Sequence, residues 1–226
     1  MHAHVLAHLI DDAHPKPIEF PFLCLTVSGG HTQLIEVQSP SAMTVLGETI
    51  DDAVGEAFDK AAKILGLPYP GGPHIDQLSA TGDSTFMSFN ESNLPGFNFS
   101  FSGMKTSFLY AVQKEMKVNP NFITTHLNDI CASYQHALIQ VLMKKLIAAQ
   151  KSTKIKNIAI AGGVSANSGL RDALTQWGAK KGLSIFLPPF QYTTDNAAMI
   201  GIAGYYQYLE GINAPLSTSA QAKIKF

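Results

Sequence analysis

The sequence predicts an α/β fold in which part of the sheet is parallel, and two patterns carry this prediction. Within 156–189 an apolar strand, a helix and a second apolar strand follow one another. That order produces parallel strands joined by a crossover helix. Within 22–37 two β-rich runs are separated by a short glycine-containing turn, which is typical of a hairpin.

The first 50 residues predict a short helical end followed by three strands. Residues 1–13 are typical of the C-terminal end of a helix, and the proline-rich stretch 14–17 ends that helix. Strands are then expected at 22–27, 32–37 and 43–48. The first two strands are joined by the turn Ser28-Gly29-Gly30-His31. Its glycines are expected at positive φ.

From Thr49 the apolar spacing becomes helical, and the predicted helix runs to Leu65 and stops at Gly66. The stretch LPYPGGP at 67–73 is interpreted as a rigid turn, and the poorly periodic stretch 82–106 as a long surface element. A long amphipathic helix is predicted over 121–151.

The C-terminal part predicts the strand–helix–strand unit and one more helix. The strands are expected within 156–164 and 183–189, with a helix from Asn167 to about Lys180 between them. The last helix is expected to begin near Asp195, which would occupy its N-cap position. The tail after Pro215 is expected to be loose.

Composition indicates an ordinary globular protein of a reducing compartment. The chain has 226 residues, 46% of them hydrophobic and 15% charged, and its net charge of −1 gives no global basic field. The two cysteines, Cys24 and Cys131, lie in apolar stretches and are expected to be buried thiols. With no membrane span and no signal peptide in the sequence, the predicted location is the cytoplasm.

Two glycine pairs that follow apolar strands, Gly29-Gly30 and Gly162-Gly163, are candidate phosphate-binding turns. Without a Cβ atom the backbone can approach a phosphate and direct its N–H groups at it. The alternative, two tight turns without a ligand, stays open for either pair alone.

A third glycine pair, Gly71-Gly72, follows a helix that carries Asp59. This carboxylate could hold a ribose or a metal, or could simply pair with Lys63 at i,i+4 on a solvated face. Gly55, inside the same helix, is expected to pack closely against another element.

Histidines near the N-terminus suggest a divalent metal site. His4 and His8 are spaced i,i+4, and imidazole is a good ligand of Zn²⁺ and Fe²⁺. Val5 stands where a zinc peptidase of the HExxH type needs its glutamate, so that class is disfavoured. Asp195 is either a third ligand or a helix cap.

Together these motifs resemble the tRNA threonylcarbamoyladenosine transferase family, once described as glycoproteases. The resemblance spans nearly the whole chain in the family's order, in the stretches VSGGHTQLIEV (27–37), GETIDDAVGEAFDKAAKILGLPYPGGP (47–73), FSFSGMKT (99–106), AGGVSANSGLR (161–171) and TTDNAAMI (193–200). It implies an actin-like ATPase fold of the ASKHA, RNase H-like type, mainly its second lobe with remnants of the first. The expected domains are 1–20 and 191–226 from the first lobe and 21–190 as the second.

The resemblance also implies an acyl transfer. Threonylcarbamoyl would pass from threonylcarbamoyl-AMP to the N6 atom of the adenosine next to the anticodon, in tRNAs reading ANN codons. Besides tRNA, the implied partners are a paralogous actin-like subunit and a small ATPase of the same pathway. Residues matching nucleotide or substrate contacts are Thr26, Val27, Ser28, Gly29, Gly30, Asp59, Gly72, Asp76 (at the ribose), Gly162, Gly163 and Asn167. His31 would lie beside the reacting group as the catalytic candidate.

For the metal, Fe²⁺ or Zn²⁺, the resemblance implies His4 and Asp195, without His8. His2 takes the place of a non-ligand acid, and the first ligand would lie just before Met1. The chain is therefore expected to be an inactive fragment that self-associates or is partly disordered. A small-molecule kinase of the actin-like superfamily and a non-catalytic partner scaffold remain alternatives.

Overall fold

The computed structural model describes residues 1–90 and 94–219, and its centre is a mixed five-stranded sheet. The strand order is β3-β2-β1-β4-β5. β1 pairs antiparallel with β2 and parallel with β4, and β4 pairs parallel with β5. The strands are β1 (Phe22–Val27), β2 (Thr32–Val37), β3 (Met43–Glu48), β4 (Asn157–Ala161) and β5 (Ser184–Phe186). The predicted hairpin and the predicted parallel unit are both confirmed.

The central strand β1 is buried along its whole length because helices cover both faces of the sheet. Leu23 and Leu25 point into the larger core, and Phe22 and Cys24 into a smaller core with Val5. Complete burial of one such aliphatic side chain contributes about 1.5–3 kcal/mol. Strands covered on both sides read as continuous apolar runs, which explains the sequence FLCLTV.

Seven α-helices occur within the described residues. The long helix predicted over 121–151 is confirmed. The helices are α1 (His2–Leu6), α2 (Val54–Ile64), α3 (Gly71–Ser79), α4 (Ser102–Val118), α5 (Phe122–Thr153), α6 (Ser168–Lys181) and α7 (Ala197–Leu209). Short 3-10 turns lie at Ala7–Leu9, Gly163–Ala166 and Phe190–Tyr192.

The helix predicted to start at Thr49 starts later, at Val54, since the preceding residues bind another segment. The Asp51 carboxylate accepts hydrogen bonds from the backbone of Phe101 at 2.8 Å and from the Ser100 hydroxyl. Ile50, expected on the apolar face, is 62% exposed.

Two helices occur where the sequence predicted none. α3 begins inside the stretch interpreted as a rigid turn, so Gly71 and Gly72 form its first residues. α4 begins within the expected surface element, and Phe99 and Phe101 before it are fully buried in the larger core. Residues 91–93 of that element lie outside the described residues.

Two local predictions are wrong, and one alternative that the sequence left open, an Asp59–Lys63 pair, does not occur. Neither Gly29 nor Gly30 adopts positive φ. Asp195 does not cap α7, because Asn196 is the N-cap and its side chain accepts from the backbone of Met199 at 3.0 Å.

α7 packs on α1 and the 3-10 turn after it, and only Met199 of this helix is buried. Four large apolar side chains of α7 are exposed, namely Ile200, Tyr205, Tyr208 and Leu209. Self-association through this surface stays a prediction, as does the assignment of 1–20 and 191–226 to a first lobe. Of the expected loose tail, residues 220–226 lie outside the described part.

Both cysteines are free and buried, as predicted, and burial raises the pKa of each thiol. Within 1–90 and 94–219 no helix is long and apolar enough to cross a membrane.

Candidate nucleotide cleft and the neighbouring histidine–carboxylate pair

Both glycine turns lie at the same edge of the sheet. Gly29 follows β1 and Gly163 follows β4, and these two strands are parallel neighbours. Open α/β sheets form their ligand crevices at the carboxyl ends of the strands. A cleft of about 430 Å³ lies there, lined by Gly29, Gly55, Phe58, Asp59, Tyr69, Pro70, Gly72, Pro73, Asp76, Gln77, Gly163, Val164, Ala166, Asn167 and Thr194.

The structure thus brings together six of the predicted site residues, which come from three separate regions of the sequence, around Gly29, within 59–76 and within 163–167. They are Gly29, Asp59, Gly72, Asp76, Gly163 and Asn167.

The first glycine turn is organised around the hydroxyl of Ser28. This oxygen accepts hydrogen bonds from the backbone N–H of Gly30 at 3.3 Å and of His31 at 3.0 Å. The turn closes where the Ser28 N–H donates to the carbonyl of His31 at 2.8 Å. These bonds fix the shape of the turn, and the N–H groups of Gly30 and His31 are engaged within it.

Gly55 fits the start of α2 against this turn. A Cβ at position 55 would lie 2.6 Å from the carbonyl oxygen of Ser28 and 2.8 Å from the Gly29 backbone. The Gly55 N–H donates to the same carbonyl at 3.1 Å. The close packing expected for Gly55 is confirmed, and its partner is the candidate phosphate turn.

The second turn requires glycine at Gly162, which has φ +91. A Cβ there would lie 2.4 Å from the carbonyl oxygen of Val27. Gly162 therefore shapes the turn without lining the cleft. The Cβ position of Gly163 is open, with the nearest atom, on Thr194, 4.0 Å away.

The two cleft carboxylates each bind the first turn of a helix. Asp59 accepts from the Gly71 N–H at 2.7 Å, at the beginning of α3. Asp76 accepts from the N–H and the hydroxyl of Ser168, at 2.9 and 2.8 Å, at the beginning of α6. A carboxylate is favoured at a helix N-terminus by the unpaired N–H groups and the helix dipole. Both residues therefore hold the cleft walls in place as well as facing the cleft.

Asn167 has the same double position. It is the N-cap of α6, where its side-chain oxygen accepts from the Leu170 N–H at 2.9 Å. Its amide nitrogen donates to the Gln135 side chain on α5 at 2.7 Å. These bonds fix the orientation of the amide at the wall of the cleft.

Four predicted contact residues near the first turn do not line the cleft. Thr26 and Val27 are fully buried in β1, and the Thr26 hydroxyl donates to the Gln33 carbonyl at 3.2 Å. Ser28 and Gly30 act through the turn geometry.

The two predicted metal ligands approach each other across the chain. His4 Nε2 lies 3.1 Å from a carboxylate oxygen of Asp195, whereas the Nδ1 atom of His4 is buried without a hydrogen-bond partner among the described residues. Burial lowers the pKa of His4 below its ordinary value, while the Asp195 carboxylate acts in the opposite direction. The charge of His31 also lowers this pKa, so the catalytic candidate lies near the pair.

His8 belongs to a different environment. Its Nε2 atom lies 2.9 Å from the carbonyl oxygen of Ile160, and its Nδ1 atom lies 2.8 Å from His14 Nε2. The pairing of His4 with His8 suggested by their spacing is therefore wrong.

The donor types of His4 and Asp195 suit a divalent metal, but their number does not complete a site. No group of three or more histidine, cysteine, aspartate or glutamate side chains that could hold a metal occurs in the described part of the chain. Two donors fall short of the three protein ligands that catalytic zinc sites use.

Tyr69 and Thr194 line the cleft although the sequence reasoning did not single them out. Tyr69 lies between the prolines of a stretch interpreted as a turn, and connecting segments of this kind often carry binding residues. Thr194 directly precedes Asp195, so it connects the cleft with the histidine–carboxylate pair.

Comparison of the sequence with known families matches residues 1–202 to the model described as TsaD, tRNA N6-adenosine threonylcarbamoyltransferase. Curated relatives carry the same description. The protein of Christiangramia forsetii is 55% identical over all of this chain and 66% of its own length. That of Cytophaga hutchinsonii is 54% identical over all of this chain and 65% of its own. The chain thus spans about two thirds of the length of the curated relatives it matches.

Solved structures resemble the fold at low sequence identity. Full-length HypF in its phosphate- and nucleotide-bound form has a TM-score of 0.64 at 9% identity, covering 92% of this chain and 35% of HypF. The activator of the 2-hydroxyisocaproyl-CoA dehydratase from Clostridium difficile has a TM-score of 0.50 at 14% identity, covering 96% and 71%. Both are actin-like ATPase folds, which confirms the predicted fold class.

Proposed function

The chain belongs to the family of tRNA N6-adenosine threonylcarbamoyltransferases, and from this premise we propose that its cleft binds the nucleotide part of threonylcarbamoyl-AMP. In the proposed reaction the N6 nitrogen of the adenosine next to the tRNA anticodon attacks the carbamoyl carbonyl. The bond between that carbon and the phosphate oxygen breaks, AMP leaves, and the nitrogen loses a proton. The substrates are tRNAs that read ANN codons.

One observation carries the proposal. The six predicted contact residues that line the cleft come from sequence positions as far apart as Gly29 and Asn167, and they meet in one cavity of about 430 Å³. That volume lies within the range of small-molecule and cofactor sites.

The glycine turns supply the chemistry that a leaving phosphate needs. Gly29 and Gly163 both line the cleft, and the open space at their Cβ positions lets a phosphate approach the backbone of each turn. Preorganised backbone donors stabilise charge that develops on a leaving group without reorganising during the reaction. Asp59 and Asp76 are proposed to face the ribose while they hold α3 and α6.

His4 and Asp195 are proposed as two ligands of Fe²⁺ or Zn²⁺, with a further ligand supplied from outside this chain. When bound, the metal would act as a Lewis acid toward the carbonyl. The depressed pKa of His4 keeps its imidazole neutral near neutral pH, the form in which histidine binds metals. His31 is proposed to orient the acyl group next to this pair.

We further propose that the protein works in the cytoplasm with a paralogous actin-like subunit and a small ATPase. The exposed apolar side chains of α7 are available for contacts between protein segments or between copies of the chain.

A chimera tests the proposed function. The matched part of the Christiangramia forsetii relative is replaced by these 226 residues, and the chimera is expressed in that organism in place of its own protein. We expect threonylcarbamoyladenosine in digested tRNA, measured by mass spectrometry. Gly163→Val places a branched side chain in the cleft. It is expected to reduce the amount of threonylcarbamoyladenosine more than Gly163→Ala does.

Two outcomes would contradict the proposal. One is a folded chimera that leaves the tRNA unmodified. The other is a Gly163→Val chimera as active as the unsubstituted one, which would show that the cleft takes no part in the reaction.

A further inference from the structure

We propose that Tyr69 is the residue on which the nucleobase of the bound mononucleotide stacks. This inference rests on the proposed function and adds to it the part of the cleft that distinguishes a nucleotide from a bare sugar phosphate. None of the residues matched to nucleotide or substrate contacts in the sequence analysis has an aromatic side chain.

The side chain of Tyr69 has a large exposed surface. It is 85% exposed and, in the part of the chain that the structure describes, makes no hydrogen bond and no ring contact. The residue lines both the main cleft and a smaller cavity of about 270 Å³ beside it. Open space on two sides leaves the ring free to present a face to a ligand.

The distance from the phosphate turn to Tyr69 fits the length of a mononucleotide. α2 begins at the turn, where Gly55 contacts Ser28, and further along the helix Ala62 contacts Gly71, two residues after Tyr69. Ala62 is seven residues after Gly55, and a rise of 1.5 Å per residue separates the two contacts by roughly 10 Å along the helix. A phosphate at the glycine turn would therefore place the base near Tyr69, with Asp59 between them.

The surroundings of Tyr69 suit a flat apolar ring. Phe58, Pro70 and Pro73 line the same cleft. On the other side of Tyr69, Lys60 is engaged by Asp52 at 2.7 Å and does not compete as a partner for the base. Stacking on an aromatic side chain tolerates any base, so hydrogen-bonding groups elsewhere in the cleft would have to select adenine.

The base could belong to the mononucleotide or to the RNA. The structure favours the mononucleotide because the glycine turns and Tyr69 line one continuous cavity. The experiment has an arm for each source.

Calorimetric titration of the 226-residue chain with AMP and with ribose 5-phosphate tests the inference. The variants are Tyr69→Ala, Tyr69→Trp and, as a matched control, Tyr110→Ala, whose ring is 65% exposed on α4 away from both cavities. We expect Tyr69→Ala to weaken the binding of AMP roughly 5- to 150-fold, the range of base–aromatic stacking. Tyr69→Trp and Tyr110→Ala should bind AMP as the unsubstituted chain does. The affinity for ribose 5-phosphate should be the same in all variants.

Each other outcome overturns the inference in a recognisable way. Equal AMP affinity of Tyr69→Ala and the unsubstituted chain excludes stacking while it leaves the nucleotide site intact. If the affinities for AMP and ribose 5-phosphate fall by the same factor, Tyr69 maintains the shape of the cleft and does not stack on the base. A loss seen only with an RNA anticodon stem-loop assigns the ring to the RNA. Failure of the unsubstituted chain to bind AMP removes the proposed nucleotide site itself.

Discussion

Replacement of Gly55 by alanine tests whether the start of α2 sets the position of the phosphate turn. The added Cβ would lie 2.6 Å from the Ser28 carbonyl oxygen, a backbone atom that cannot rotate away. To reach about 3.4 Å, an ordinary contact, helix and turn must separate by about 0.8 Å. Such overpacking costs about 1–3 kcal/mol. The Gly55–Ser28 hydrogen bond, worth about 0.5–1.5 kcal/mol, is strained as well.

Alanine also favours the helix over glycine by about 1 kcal/mol, which offsets part of that cost. We therefore expect Gly55→Ala to lower the free energy of unfolding by about 1–2 kcal/mol in urea denaturation. For a chain of this size the melting temperature falls by about 2–4 °C for each kcal/mol. The displaced turn should also weaken AMP binding.

The control is Gly204→Ala in α7, where no atom of the described residues lies within 4 Å of the added Cβ. It receives the same gain in helix propensity without the clash, so it should stabilise the protein by up to about 1 kcal/mol. The reasoning is refuted if Gly55→Ala is as stable as Gly204→Ala and binds AMP with unchanged affinity.

Three further substitutions should change the stability of the protein in a direction that follows from the structure. Burial lowers the pKa of His8 from 6.5 to about 3, so the unfolded chain takes up a proton that the folded protein excludes. The contribution of His8 to the free energy of unfolding is complete above pH 6.5 and falls toward pH 3 by up to about 1.4 kcal/mol per pH unit. His8→Gln should flatten this slope in urea unfolding. An unchanged slope would contradict the lowered pKa of His8. Asp76→Ala removes both acceptors of Ser168 and should destabilise by about 1–2 kcal/mol, with Asp76→Asn intermediate because it keeps one acceptor oxygen; equal stability of all three proteins would exclude the cap. Gly162→Ala combines an unfavourable φ with a contact on the Val27 carbonyl and should cost about 2–4 kcal/mol by thermal unfolding, so a neutral result would show that the turn can relax.

The sheet could be predicted from the sequence since its strands carry their own signals. β1, β2 and β3 occur at their predicted bounds because β-rich runs separated by short polar turns have few other ways to pair. The strand–helix–strand unit around β4 was equally clear, because a parallel crossover needs an intervening helix.

The helices that escaped prediction depend on contacts distant in sequence. α3 starts at Gly71-Gly72, residues of low helix propensity, and Asp59 from the preceding helix binds its first N–H. Similarly, Asp51 binds the backbone at the beginning of α4, which no local pattern reveals. Tertiary partners, and not local preference, decide where these helices begin.

The candidate site was predictable only in part. Residue type and spacing identified the glycine turns, but the grouping of six residues in one cleft came from the family resemblance. Spacing alone chose His8 with His4, whereas the fold turns His8 toward Ile160 and brings Asp195 to His4. Tyr69 could not be found by spacing because its place in the cleft depends on the undetected start of α3.

The double use of Asp59, Asp76 and Asn167 has a consequence for the mechanism. Each of them binds a helix start with part of its side chain and lines the cleft with the rest. A ligand that draws on the same oxygen atoms competes with the bonds that hold α3 and α6. Nucleotide binding should therefore shift these helix starts slightly, and hydrogen exchange of the Gly71 and Ser168 amides is the direct readout. Faster exchange with AMP bound would mean that the carboxylates turn toward the ligand, and slower exchange that the ligand adds to an unchanged frame.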